Sequence, residues 1–264
     1  MKSQKKVLFI IFTVLTMMIL AACGQSTSTS ETLNVGTDAA FAPFEYMDKG
    51  EMVGFDVDLL AAVMKEAGYD YELNNIGWDP LFASIQGKEL DLAISGITIN
   101  EERKQTYDFS VPYFQSTHMI VFKEGAGITN ANDLVGKKVG VQNGTTGQSA
   151  AEKIMGVNSP TNMKYENTAV AFMALANGDV EAVVTDNVVA SEYVKNNPDA
   201  KVEAIEDHTN FESEFYGLMF PKGSELKPKF DEALKTVIEN GTYAELYKKW
   251  FGKEVNVEEL LKAE

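Results

Sequence analysis

Short apolar or β-branched runs alternate with helix-length amphipathic runs along this chain, and the alternation occurs twice. That rhythm restricts the fold more than any motif does, because parallel neighbouring strands need a crossover and a helix is the usual one. In the first block, residues 33–36 read as a strand. FDVDLLAAVMKEA (55–67) then puts Phe55, Leu59, Leu60, Val63 and Met64 on one helical face, closed by Gly68. A second strand is expected over 71–76. Asp79-Pro80 opens a helix carrying Leu81, Phe82 and Ile85, with the proline near the first turn where its missing N–H is harmless. A third strand follows over 90–94. In the second block, strands at 138–142, 163–166 and 181–184 alternate with helices at 146–155, 168–176 and 187–195. An apolar strand at 215–220 and helices at 225–239 and 242–250 finish the chain. The expectation is an α/β protein of two lobes joined near 118–124, each with a parallel sheet covered on both faces. If the 215–220 strand crosses back, the C-terminal segment belongs to the first lobe and the two crossings form a hinge.

Ahead of this body, three lysines within the first six residues precede VLFIIFTVLTMMIL (7–20). The pattern is that of a secretory leader, too short for a comfortable membrane span. Leu20-Ala21-Ala22-Cys23 resembles the lipobox of bacterial lipoproteins, in which the cysteine is lipidated and becomes the mature N-terminus. The expected organisation is therefore a leader over 1–22 and a lipidated, small-residue tether over 23–32, with membrane contact through the lipid alone. Cys23 is the sole cysteine, so an internal disulfide is excluded.

Net charge is −16, or −19 without the three leader lysines. So acidic a surface argues against nucleic acid and anionic lipid as partners and is compatible with cationic or zwitterionic small ligands.

Candidate binding residues cluster at the expected strand ends, where open α/β sheets bind ligands. The stretch ISGITINEERKQTYDFSVPYFQS (94–116) leaves a strand through Ser95-Gly96, offers the Thr98 hydroxyl, and returns Arg103 a few residues later. A guanidinium fork beside turn amides suits a carboxylate; the same stretch is also compatible with a surface turn and a solvated helix start. Asp38 and Phe41 follow the first strand and Trp78 the second. Gln142, Thr146 and Asp186 follow strands of the second block. Asp38 and Asp186 could instead be helix caps, and Phe41 and Trp78 could be core. GVQNGTTGQ lacks the Gly-Lys-Ser/Thr ending of a phosphate loop. Taken together, one arginine for an acid, one aspartate for an ammonium and two aromatics for a side chain describe an amino-acid site between two closing lobes.

VGTDAAFAPFEY (35–46), GFDVDLLAAV (54–63), ISGITINEERKQTYDFS (94–110), VTDN (184–187) and NGTYAELYKKWFG (240–252) resemble the bacterial extracellular solute-binding proteins for polar amino acids, the receptors of ABC importers. The resemblance covers essentially everything after the tether. It implies the two-lobed periplasmic-binding fold of type II, with lobe 1 over 33–114 and 213–264, hinges at 115–118 and 209–212, and lobe 2 over 119–208. It also implies that Arg103, Thr98 and the Thr146 amide hold an α-carboxylate, and that Asp186 and the Gly96 carbonyl hold an α-ammonium. Phe41 and Trp78 would sandwich the side chain, with Asp38 near its far end. Glutamine receptors of the family in Gram-negative bacteria carry lysine at the position of Gln142 and histidine at that of Thr185. Without those cations the pocket favours a basic amino acid (arginine, lysine or histidine), with glutamine second. A permease and ATPase are the implied partners of a monomer anchored outside the cell membrane, in a Gram-positive envelope by preference.

Rival functions are weaker on sequence. Dehydratase-like enzymes share the fold, but His118 and His208 fall at the inferred hinge and in a polar loop, with no nucleophile set apparent. Neither a cofactor nor a metal is expected, since His and Cys are not clustered. A kinase sensor domain would need a membrane segment after residue 250, and an adhesin would need no charged, aromatic-lined cleft.

Overall fold

The computed structural model describes residues 32–262. The expected leader, Cys23 and the tether as far as residue 31 lie outside these described residues.

The first half contributes β1 (Thr32–Thr37), β2 (Ala40–Phe41), β3 (Glu45–Asp48), β4 (Glu51–Val53), β5 (Asp70–Asn75), β6 (Leu92–Ala93), β7 (Tyr107–Phe109) and β8 (Phe114–Ser116). The remainder contributes β9 (His118–Lys123), β10 (Val139–Gln142), β11 (Asn162–Tyr165), β12 (Ala182–Asp186), β13 (Val202–Glu206), β14 (Glu214–Tyr216) and β15 (Met219–Pro221). Two five-stranded sheets result, ordered β5-β1-β6-β15-β7 and β11-β10-β12-β9-β13, and each is the base of one lobe.

Both sheets are mixed, which corrects the expectation of purely parallel ones. In the first, β1 runs parallel to β5 and β6, but β15 is antiparallel to β6 and β7. In the second, β10 runs parallel to β11 and β12, while β9 is antiparallel to β12 and β13. The exceptions have one origin. β9 enters the second sheet, and β15 re-enters the first, directly from the connecting ribbon instead of through a helical crossover.

That ribbon is β8 paired antiparallel with β14, in the register Ser116–Glu214, Gln115–Phe215 and Phe114–Tyr216. Its strands lie at 114–116, overlapping the expected hinge segment 115–118, and at 214–216, just past the expected segment 209–212. The single strand expected over 215–220 is two strands serving different sheets. The break falls at Gly217, where a Cβ would come within 2.8 Å of the Ile99 side chain, so a larger residue there would have to displace Ile99.

The helices follow their apolar spacing closely. Phe55–Ala67 buries Phe55, Leu59, Leu60, Val63 and Met64 and ends at Gly68, whose left-handed φ of 73° closes the last turn. It packs against helices Lys227–Glu239 and Thr242–Phe251 near the end of the chain. A cluster of rings (Phe44, Phe55, Phe114, Tyr216 and Phe251) seals lobe 1 against the ribbon, with Phe44 edge-on to Phe114 at 4.8 Å. None of the described helices is long and apolar enough to cross a membrane.

Candidate functional site

The nine candidate residues reach one cavity from both lobes. Asp38, Phe41, Trp78, Gly96, Thr98, Arg103, Gln142, Thr146 and Asp186 all line it, together with Glu45, Ser95, Thr145, Gly147, Thr168, Val184 and Thr185. The cause is topological. Asp38 directly follows β1, Trp78 starts helix Trp78–Gln86 after β5, and Gly96 lies just beyond β6. Gln142 ends β10, Thr146 starts helix Thr146–Met155, and Asp186 ends β12. Carboxyl ends of parallel strands from the two sheets therefore converge.

Arg103 is fixed by a single helical turn. Asn100 caps Glu101–Lys104 by accepting from the Arg103 N–H at 2.8 Å. The guanidinium then donates to the Thr98 carbonyl at 2.9 Å and, across the cleft, to the Gly144 carbonyl at 3.3 Å. Its Cζ lies 5.4 Å from the Trp78 ring centre and 5.1 Å from that of Phe82, within cation–π range. Burial lowers its pKa to about 10, against the attraction of Glu214 and Asp186, so it remains a cation at neutral pH.

On the opposite wall, Asp186 precedes helix Asn187–Asn196 but makes no side-chain cap bond, so the capping role left open by the sequence is not the one it takes. It accepts from Ser116 Oγ at 3.2 Å, and its Oδ1 is 3.7 Å from His118 Nε2. Burial raises its pKa, with His118 opposing. At the far end, Gln142 Nε2 donates to Asp38 Oδ2 at 2.8 Å, while Thr168 Oγ1 donates to Gln142 Oε1 at 3.0 Å and fixes the amide's orientation. Asp38 is also raised by burial. Thr98 and Thr146 meet across the cleft at 3.3 Å between hydroxyls.

Phe41 and Trp78 belong both to the core and to the cavity wall, being 9% and 7% exposed. Trp78 Nε1 has no hydrogen-bond partner among the described residues. Gly96 must be glycine: its φ is +54°, and a Cβ would approach the Phe41 ring to 3.0 Å.

Behind the Ser95-Gly96 turn lies a pair that sequence reading missed. Glu45 and Asp56 are both fully buried. Ser95 Oγ donates to Glu45 at 2.8 Å, and the Gly96 N–H and Tyr113 hydroxyl donate to Asp56 Oδ2 at 2.9 and 2.8 Å. Burial and the neighbouring Asp56 carboxylate push the Glu45 pKa well up, and burial raises that of Asp56 to about 6.

A second missed group is His118, Asp186 and Glu214, with ligand atoms all within 4.8 Å of one another. Spacing could not reveal it, because β9, β12 and β14 each supply one member. Its chemistry suits a cation, organic or metallic.

The bacterial extracellular solute-binding proteins, family 3, match this chain over residues 33–253. The chain belongs to this family. A probable histidine-binding protein of Neisseria gonorrhoeae is 37% identical over 248 residues, covering 90% of this chain and 92% of its own. The arginine-binding extracellular protein ArtP of Bacillus subtilis is 35% identical, covering 94% and 98%. The crystal structure of the arginine-, lysine-, histidine-binding protein ArtJ from Geobacillus stearothermophilus superposes with a TM-score of 0.86 at 64% identity, over 88% of this chain and all of that one.

Proposed function

We propose that this protein is the extracytoplasmic receptor of an ABC importer and captures a basic amino acid, arginine, lysine or histidine. The observation that carries the reading is the charge pattern of the cavity. Arg103 is the only cation among the described residues lining it, whereas Asp186 stands near one end and Asp38 at the other. An amino acid with a cationic side chain matches that pattern at all of its charged groups. In this reading Arg103, Thr98 and the Thr146 amide hold the α-carboxylate, and Asp186 and the Gly96 carbonyl hold the ammonium. The side chain runs between Phe41 and Trp78 to Asp38 and Gln142. The relatives named for arginine, lysine and histidine support it. Glutamine is the alternative ligand, since an amide side chain could also pair with Asp38 and Gln142.

We read the chain as a binding protein and not an enzyme, as a monomer, and as lipid-anchored through Cys23 with permease and ATPase partners. The β8–β14 ribbon acts as the hinge between a lobe over 33–114 and 213–264 and a lobe over 119–208. Calorimetry with arginine, lysine, histidine and glutamine tests the ligand class. Tighter binding of glutamine than of all three basic amino acids would overturn the preference.

A further inference from the structure

Glu214 lies on the hinge ribbon, and its carboxylate reaches the place proposed for the ligand's own. Glu214 Oε2 accepts from Thr98 Oγ1 at 3.0 Å and from Thr146 Oγ1 at 2.8 Å, one hydroxyl from each lobe. It is 3.8 Å from His118 Nε2, and it attracts the Arg103 guanidinium more than any other carboxylate does. An α-carboxylate seated on Arg103, Thr98 and Thr146 would compete with Glu214 for the same donors and the same positive charge.

The charge balance then points to a second kind of ligand. Asp38, Asp186 and Glu214 are three carboxylates around the single guanidinium of Arg103. A basic amino acid brings two cationic groups and a carboxylate that contests the Glu214 position. The same molecule without its carboxylate brings both cations, one for Asp186 and one for Asp38, and lets Glu214 stay. Arg103 is then never left buried without a counter-charge, the arrangement that costs most.

We propose that the cleft also binds dicationic amines that lack an α-carboxylate, diamines and guanidinoalkylamines, with Glu214 supplying the carboxylate in its place. This rests on the reading of Arg103, Thr98 and Thr146 as the carboxylate cradle.

The test is titration calorimetry of the purified protein with arginine, with agmatine (arginine minus its carboxyl group) and with cadaverine (lysine minus its carboxyl group). Wild type, Glu214→Gln and Glu214→Ala are compared, each with its melting temperature. Agmatine and cadaverine are expected to bind wild type. Both substitutions should weaken the two amines by about tenfold or more, the loss of a charge-assisted pair, while arginine binding tightens as its competitor is removed. Two results overturn the proposal: arginine binding while neither amine does, or arginine and the amines shifting in parallel in both variants. Amines binding while no amino acid does would sustain the role of Glu214 and sink the amino-acid reading instead. No binding by any of the three would sink both.

Discussion

Gln142 and Asp38 are hydrogen-bonded across the cleft, 2.8 Å from the amide nitrogen of one lobe to the carboxylate of the other. The amide leaves the aspartate its charge. A lysine in its place would neutralise Asp38 and repel a basic side chain. Gln142→Lys is therefore expected to weaken arginine binding by about 1.5–3 kcal/mol and glutamine binding by much less. Calorimetry with both ligands decides, and equal losses would count against Asp38 as the side-chain anchor.

Arg103 carries the acid end of the ligand in the proposed site. Arg103→Ala should cost about 3–5 kcal/mol of binding, because a carboxylate would be buried without its cation. Near-wild-type affinity for arginine in the folded variant would remove Arg103 from that role.

The Glu45–Asp56 pair makes stability depend on pH. Both carboxyls titrate higher in the folded chain than in the unfolded one, Asp56 from 3.8 to about 6 and Glu45 well above 4.5. The folded state therefore holds protons that the unfolded state has released. The pair's contribution is full below the unfolded values and declines as pH rises through the folded ones. Glu45→Gln keeps a donor toward Asp56 and has no proton to lose. Relative to wild type it should gain about 1–3 kcal/mol between about pH 4 and about pH 7, measured by urea unfolding at both. A difference that does not change with pH would contradict the raised carboxyl pKa values.

Cys23→Ser is expected to release the protein into the medium, checked by fractionating cells after labelling with a lipid precursor. Retention at the membrane without label would argue against the anchor.

Much of the lobe architecture was legible because the helices obey one periodicity. Phe55, Leu59, Leu60, Val63 and Met64 are buried as their spacing implies. The nine candidate residues were legible for a different reason: strand ends in an α/β fold are addresses, and Asp38, Gln142 and Asp186 each occupy one. The misses have physical causes as well. β2, β3 and β4 form a small meander too short to show alternation, and β7 and β8 have only three residues each. The 90–94 run is apolar at Leu90, Leu92, Ala93 and Ile94 but pairs only through Leu92–Ala93, so composition overstated its length. Glu45, Asp56 and Glu214 went unnoticed because an acidic residue in sequence reads as surface. Only the fold shows that a hydroxyl and a second carboxylate meet each of the first two, and that two threonines reach the third.

β15 lies inside the first sheet, between β6 and the edge strand β7, although it comes from much later in the chain than either. The second sheet is built wholly from residues 118–206. A polypeptide emerging amino end first therefore has everything needed for its inserted lobe before the outer lobe can close its own gap. The part of the molecule that begins the chain is the last to be completed, and a chain cut short before Met219 would carry one finished lobe beside one whose edge strand β7 has nothing to pair with.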